Sequence, residues 1–139
     1  MLDQLLEDIA LKLGLDFQLG NLYDLENYSL NVKDDAPLIF FYDCYQTNKI
    51  KIDQKAGSKL KDFPLSIYIL SPSDLRDETK KRLAQIRACE SKADKIYAVL
   101  DEFFSLSVGT IEPVVTATSR SLDGVRLSTL LTDHPKSTC

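Results

Sequence analysis

The sequence contains no tryptophan, a single histidine, a single methionine, and only five glycines and five prolines in 139 residues. So little glycine and proline excludes a collagen-like or low-complexity chain. No run approaches the roughly 18 apolar residues that a bilayer span needs, and Met1-Leu2-Asp3-Gln4 carries no basic flank, so neither membrane insertion nor secretion is expected. Cys44, Cys89 and Cys139 are odd in number and widely spaced, with no C-x-x-C pair and no histidine beside them. That pattern supplies neither a disulfide framework nor a zinc site, and it suits reduced thiols in a cytosolic setting. His134 lies in a Thr-Asp-His-Pro-Lys stretch near the C-terminus, where a lone imidazole is a poor start for a catalytic centre. Internal repeats and sustained heptads are absent. A basic excess is absent too: 17 basic against 21 acidic residues leave a net charge of −4, whose field repels nucleic acid.

What the chain does have is the content of one soluble globular domain, 15.7 kDa with 44% apolar and 27% charged residues. Residues 1–132 are expected to form that domain and 133–139 a polar tail. Leu2, Leu5, Leu6, Ile9 and Leu13 recur at spacings of three and four, which predicts an amphipathic helix that stops at Gly14. Tyr28, Leu30 and Val32 alternate with Ser29 and Asn31, which predicts a half-buried strand, with a turn at Lys33-Asp34-Asp35. Pro37-Leu-Ile-Phe-Phe-Tyr42 and Leu65-Ser-Ile-Tyr-Ile-Leu70 are apolar on both faces and read as buried strands.

Between those strands, residues 47–62 hold five lysines and a weak alternation at Ile50 and Ile52, the mark of an exposed hairpin or long mobile loop. Ser71-Pro72-Ser73-Asp74 offers an N-cap and a proline at the first helical position, so a helix is expected to start there. Ser91, with Asp94 three residues on, resembles a second N-cap, which predicts a kink or break near Cys89-Glu90-Ser91. Beyond it Ile96, Leu100 and Phe103 should face the sheet, and Gly109 should end the helical region. Two further strands follow, Ile111 to Thr118 and Gly124 to Leu131, with Asp123-Gly124 as the turn signal between them. The fold class is therefore α+β: a small, mostly antiparallel sheet of about four to six strands, with an N-terminal helix and a long, kinked or broken helix packed on it.

Chemistry-bearing patterns are few. Lys55-Ala-Gly-Ser-Lys59 lacks the first glycine and the residue order of a phosphate loop and reads as solvated lysines. Glu78, Glu90 and Asp94 have the spacing of an exposed helix face. Cys44 or Cys89 would be a nucleophile only with a base close in space, and the tyrosines and phenylalanines read as core or interface. No catalytic, metal or cofactor residue is assigned. The residues singled out as contacts to neighbouring subunits or partners are Lys49, Ile50, Lys51, Ile52, Lys55 and Lys59 in the lysine-rich segment. Asp133, His134, Pro135, Lys136 and Cys139 in the tail join them, since neither segment has the apolar periodicity to pack on its own domain.

Three segments carry a resemblance: Pro64-Leu-Ser-Ile-Tyr-Ile-Leu70 after the lysine-rich loop, Ala93-Asp-Lys-Ile-Tyr-Ala-Val-Leu-Asp-Glu-Phe-Phe104, and the closing Leu122-Asp-Gly-Val-Arg-Leu-Ser-Thr-Leu-Leu131 with its short tail to Cys139. Over residues 60–139 the chain resembles the ring-forming neck and tail-terminator proteins that join head to tail in tailed bacteriophages. The resemblance implies a non-enzymatic virion protein without cofactors, assembled in the host cytoplasm as a homo-oligomeric ring of six- or twelve-fold symmetry. It also implies contacts with other neck, portal or tail proteins, DNA passing through the lumen without specific binding, and no membrane association. The competing expectation is a small cytoplasmic adaptor that binds a partner protein as a monomer or dimer. An enzyme relying on carboxylates or tyrosines alone is the third.

Overall fold

Strands that are apolar on both faces need cover on both sides. The computed structural model, which describes residues 2–33, 36–44, 51–53, 60–73, 78–106, 109–115 and 122–132, shows how helices supply it. The element order is α1 (Leu2–Lys12), β1 (Asp16–Gly20), α2 (Leu22–Ser29), β2 (Ile39–Asp43), β3 (Lys51–Asp53), β4 (Leu60–Pro72), α3 (Thr79–Phe103), β5 (Ser105–Leu106), β6 (Thr110–Val114) and β7 (Leu122–Thr132). The fold is α+β. One mixed sheet runs β1-β2-β4-β7-β5, with β3 added on β4 and β6 on β7. Among the described residues β1 and β2 pair in parallel and every other pair is antiparallel.

Alternation along the strands divides the core in two. Phe40 and Tyr42 of β2, Leu65, Ile67 and Ile69 of β4, and Val125, Leu127 and Leu131 of β7 meet Leu6, Ile9 and Ala10 of α1 and Cys89, Ala93, Ile96 and Leu100 of α3. Ile39, Phe41, Tyr68, Leu70 and Leu122 point the other way and are covered by Leu25 of α2, with Tyr28 and Val32 beside it. The period of two along each strand thus sends neighbouring residues to different helices. Lys92 of α3 donates from Nζ to the Leu13 carbonyl at 3.2 Å. It ties the two helices on that face by placing a cation at the C-terminal end of α1, where the helix dipole is negative.

The structure corrects several expectations. Residues 22–29 are helical, and the strand anticipated at Tyr28, Leu30 and Val32 is not formed. Leu25, Tyr28 and Val32 pack together as a stripe of spacing three and four, while Leu30 is exposed. A capping box fixes the start of α2: Asn21 Oδ1 accepts from the Asp24 backbone N–H at 2.9 Å, and Asp24 Oδ2 accepts from the Asn21 N–H at 3.0 Å. The segment just before it forms β1. Ser71 and Pro72 do not begin a helix; they pair with Asp123 and Leu122, so β4 runs on and α3 starts at Thr79. No break occurs at Cys89-Glu90-Ser91, because α3 is continuous through them with Cys89 fully buried between helix and sheet. That helix ends at Phe103, ahead of Gly109.

Asp123-Gly124 is likewise no turn. Both residues lie inside β7, where Gly124 pairs with Leu70 on one side and Val114 on the other. A Cβ at Gly124 would stand 1.9 Å from the Ile69 carbonyl oxygen, so the glycine is needed for close approach of two backbones. On α3, Ile96 and Leu100 are buried as expected, whereas Phe103 is 47% exposed and Phe104 takes the inward place.

Leu100→Ala should cost about 2 to 5 kcal/mol of stability in denaturant unfolding, the range for emptying a buried leucine site, while Phe103→Ala should change little. Equal effects would mean that α3 covers the sheet through a different face. Gly124→Ala should destabilise by about 1 to 3 kcal/mol or more through overpacking against the Ile69 backbone, read as a lower thermal midpoint. An unchanged midpoint would show that β4 and β7 separate easily.

Candidate functional site

The contacts assigned to the lysine-rich segment and the tail meet the structure only in part. Lys51 and Ile52 lie in β3, which pairs with the start of β4, so of the two expected forms, hairpin or long loop, the strands of a hairpin are present: Lys51 opposite Asp62, Ile52 opposite Lys61, Asp53 opposite Leu60. Lys49, Ile50, Lys55, Lys59, Asp133, His134, Pro135, Lys136 and Cys139 lie outside the described residues. The ladder nevertheless fixes where both segments depart from the sheet. Asp62 has two cross-strand partners, Lys51 on one side and Thr132 on the other. The base of the hairpin and the last residue of β7 are therefore one strand spacing either side of Asp62, at the same end of the sheet.

At the other end of β7 the structure shows a charged contact that sequence reasoning missed. Asp123 is fully buried and accepts from Arg82 at both oxygens, Nε to Oδ2 at 2.7 Å and Nη2 to Oδ1 at 3.1 Å. This bidentate geometry is the strong form of the arginine–carboxylate pair. It offsets a local conflict in α3, whose first turn carries Lys80, Lys81 and Arg82 and no acid, against the helix dipole. Beside the pair opens a groove of about 170 Å³ lined by Thr79, Arg82, Leu83, Ile86, Val115 and Asp123. Small-molecule sites usually enclose roughly 300 to 1,000 Å³, so this groove suits one or two protein side chains better than a metabolite. The signal was hidden because Arg82 and Asp123 are 41 residues apart.

A second surface missed from sequence lies at the opposite lateral edge. Leu19, Leu22 and Tyr23 are 49%, 53% and 72% exposed, within five residues of chain. The turn that presents them is well fixed. Gly20 adopts φ of +148°, a region favouring glycine, and its carbonyl accepts from the Cys44 backbone N–H at 3.2 Å. The Asn21–Asp24 capping box holds the far side. Tyr28 donates its hydroxyl to the Asp16 carboxylate, joining α2 to β1. Burial and the neighbouring Asp16 push the Tyr28 phenol up to about 12. The capping pattern Asn21-x-x-Asp24 was the one sequence signal available for this surface.

Neither described cysteine has the surroundings of a nucleophile. Burial first, and the Asp123 charge second, push the Cys89 thiol up to about 12, and burial raises Cys44 as well. Both stay protonated near neutral pH, which removes the thiolate that nucleophilic chemistry requires. Among the described residues no three side chains of the metal-ligating types come together, and no helix is long and apolar enough to cross a membrane.

Arg82→Met should destabilise the fold by about 3 to 5 kcal/mol, because it removes the bidentate cation from a buried carboxylate. Adding Asp123→Asn to Arg82→Met should recover part of that loss in a double-mutant cycle with the two single variants. Strict additivity of the two single changes would show that the pair is not coupled.

Set beside known families and curated proteins, the chain matches no family model and no curated protein.

Proposed function

We propose that this chain is a non-enzymatic structural subunit of a tailed-phage virion, forming a ring at the neck or tail that joins head and tail components. The observation that carries the reading is the shared end of the sheet. Lys51 of the hairpin and Thr132 before the tail flank Asp62 on its two sides, so the hairpin base and the last residue of β7 meet at one end of the sheet. A subunit that must bind the rings above and below gains from reaching elements collected at one end, with the body of the domain left to meet its lateral neighbours. The net charge of −4 is compatible with a lumen through which DNA passes without being held, since counterion release needs cations facing phosphates. On this reading the protein resides in the virion, after assembly in the host cytoplasm, with copies of itself and neck, portal or tail proteins as partners.

Electron microscopy of the purified protein, alone and mixed with neck and tail components, should show closed rings with an axial opening. Amide exchange should fall within 47–62 and 133–139 when the particle assembles. Deleting 133–139 should leave the melting temperature unchanged and weaken assembly, because ordering these residues costs about 1 to 2 kcal/mol each that only neighbour contacts offset. A full chain that stays monomeric beside every virion component, or a truncated chain that assembles equally well, favours the adaptor reading instead.

A further inference from the structure

The two lateral edges of the sheet differ in shape and in charge. At the β1 edge the Leu19–Tyr23 turn exposes Leu19, Leu22 and Tyr23 and is held by the Asn21–Asp24 capping box and the Cys44 N–H bond to the Gly20 carbonyl. Residues 14–32 around it hold Asp16, Asp24 and Glu26 and no basic residue. At the far edge, beyond β7, the groove between α3 and Val115 is concave and apolar along Leu83 and Ile86. Lys80 and Arg87 stand three residues before and four after Leu83, so all three share one helix face, and both are exposed. The groove is too small for a typical metabolite and has the size for one or two side chains.

Like edges repel: an acidic turn does not pack on another acidic turn, nor a basic helix face on its own copy. Unlike edges attract. Because β1 ends the strand order on one side and β6 pairs with β7 on the side away from β4, a contact between unlike edges adds subunits in one lateral direction and does not close on a single partner. We infer that the Leu19–Tyr23 turn of one copy of this chain docks into the α3–Val115 groove of the next, with Glu26 facing Lys80 and Arg87. The inference rests on the ring reading above and supplies its lateral contact. Leu22 and Tyr23 act as the apolar anchors, and the surrounding charges set direction and speed of association.

The test uses two full-length variants. Leu22→Ser with Tyr23→Ser blunts the turn and leaves the groove intact; Leu83→Glu charges the groove and leaves the turn intact. All three positions are exposed, so melting temperatures should stay close to that of the original chain. In sedimentation velocity the original chain should form species larger than a dimer that shrink with added salt, and each variant alone should lose every species above monomer. Mixed together, the variants retain one competent turn and one competent groove and should stop at a one-to-one dimer. Glu26→Lys and Lys80→Glu should each weaken assembly, and combining them in one chain should restore it, which covers the case that a polar substitution disturbs folding. A monomeric original chain, variants that assemble like it, or a mixture that stays monomeric overturns the contact. Variants that still close rings remove only this contact and leave the ring reading standing, whereas that reading falls by its own assay with virion components.

Discussion

Eleven consecutive residue pairs join β4 and β7, from Asp62–Thr132 to Pro72–Leu122, and the rest of the molecule is arranged around that ladder. Its register decides which side chains face α1 and α3 and which face α2, since a shift of one residue would exchange the two sets. It also brings the Gly124 and Ile69 backbones so close that a side chain at 124 has no room. The ends of this ladder carry the Arg82–Asp123 pair and the meeting of β3 with the last residue of β7, while the Leu19–Tyr23 turn lies beyond β2. Asp62 with Thr132 marks one end of the ladder, and Asp123 receives Arg82 near the other.

Local and global preferences disagree in two places, and in the first of them the tertiary structure compensates. The first turn of α3 is basic where the helix dipole favours acids, and the buried Asp123 supplies the missing negative charge from another element. The second is the β1–α2 turn, where three large apolar residues remain in water although the chain around them is held by a capping box and a glycine in a restricted conformation. Sites where such rules are broken and the breach is stabilised elsewhere are where function is expected. These two surfaces lie at opposite edges of the sheet and differ in sign of charge. That is the geometry of a directional contact.

Tyr68 and Arg126 show how the face covered by α2 passes from apolar to polar. Arg126 lies over the Tyr68 ring, 5.8 Å from its centre, and donates from Nε to Ser66 Oγ at 3.0 Å. The cation is held by an aromatic face and a hydroxyl across neighbouring strands, so β4 and β7 stay locked beyond the reach of α2.

The sequence by itself determined the α+β class, α1 with its stop at Gly14, the buried strands around Phe40 and Ile67, and the inward face of α3 at Ile96 and Leu100. Each of these rests on apolar periodicity or a terminating glycine, which are local properties of the chain. Tertiary structure alone decided the rest. Tyr28, Leu30 and Val32 fit a strand by alternation, but Leu25, Tyr28 and Val32 also fit a helix stripe, and packing against Phe41 and Leu70 selected the helix. Asp123-Gly124 has the composition of a turn, yet pairing on both sides drew it into β7. Ser71 and Pro72 were taken by β4 before α3 could begin with them. The Arg82–Asp123 pair and the two unlike edges follow from that pairing, because they join residues whose separation along the chain carries no periodic signal and whose meeting is set by strand register.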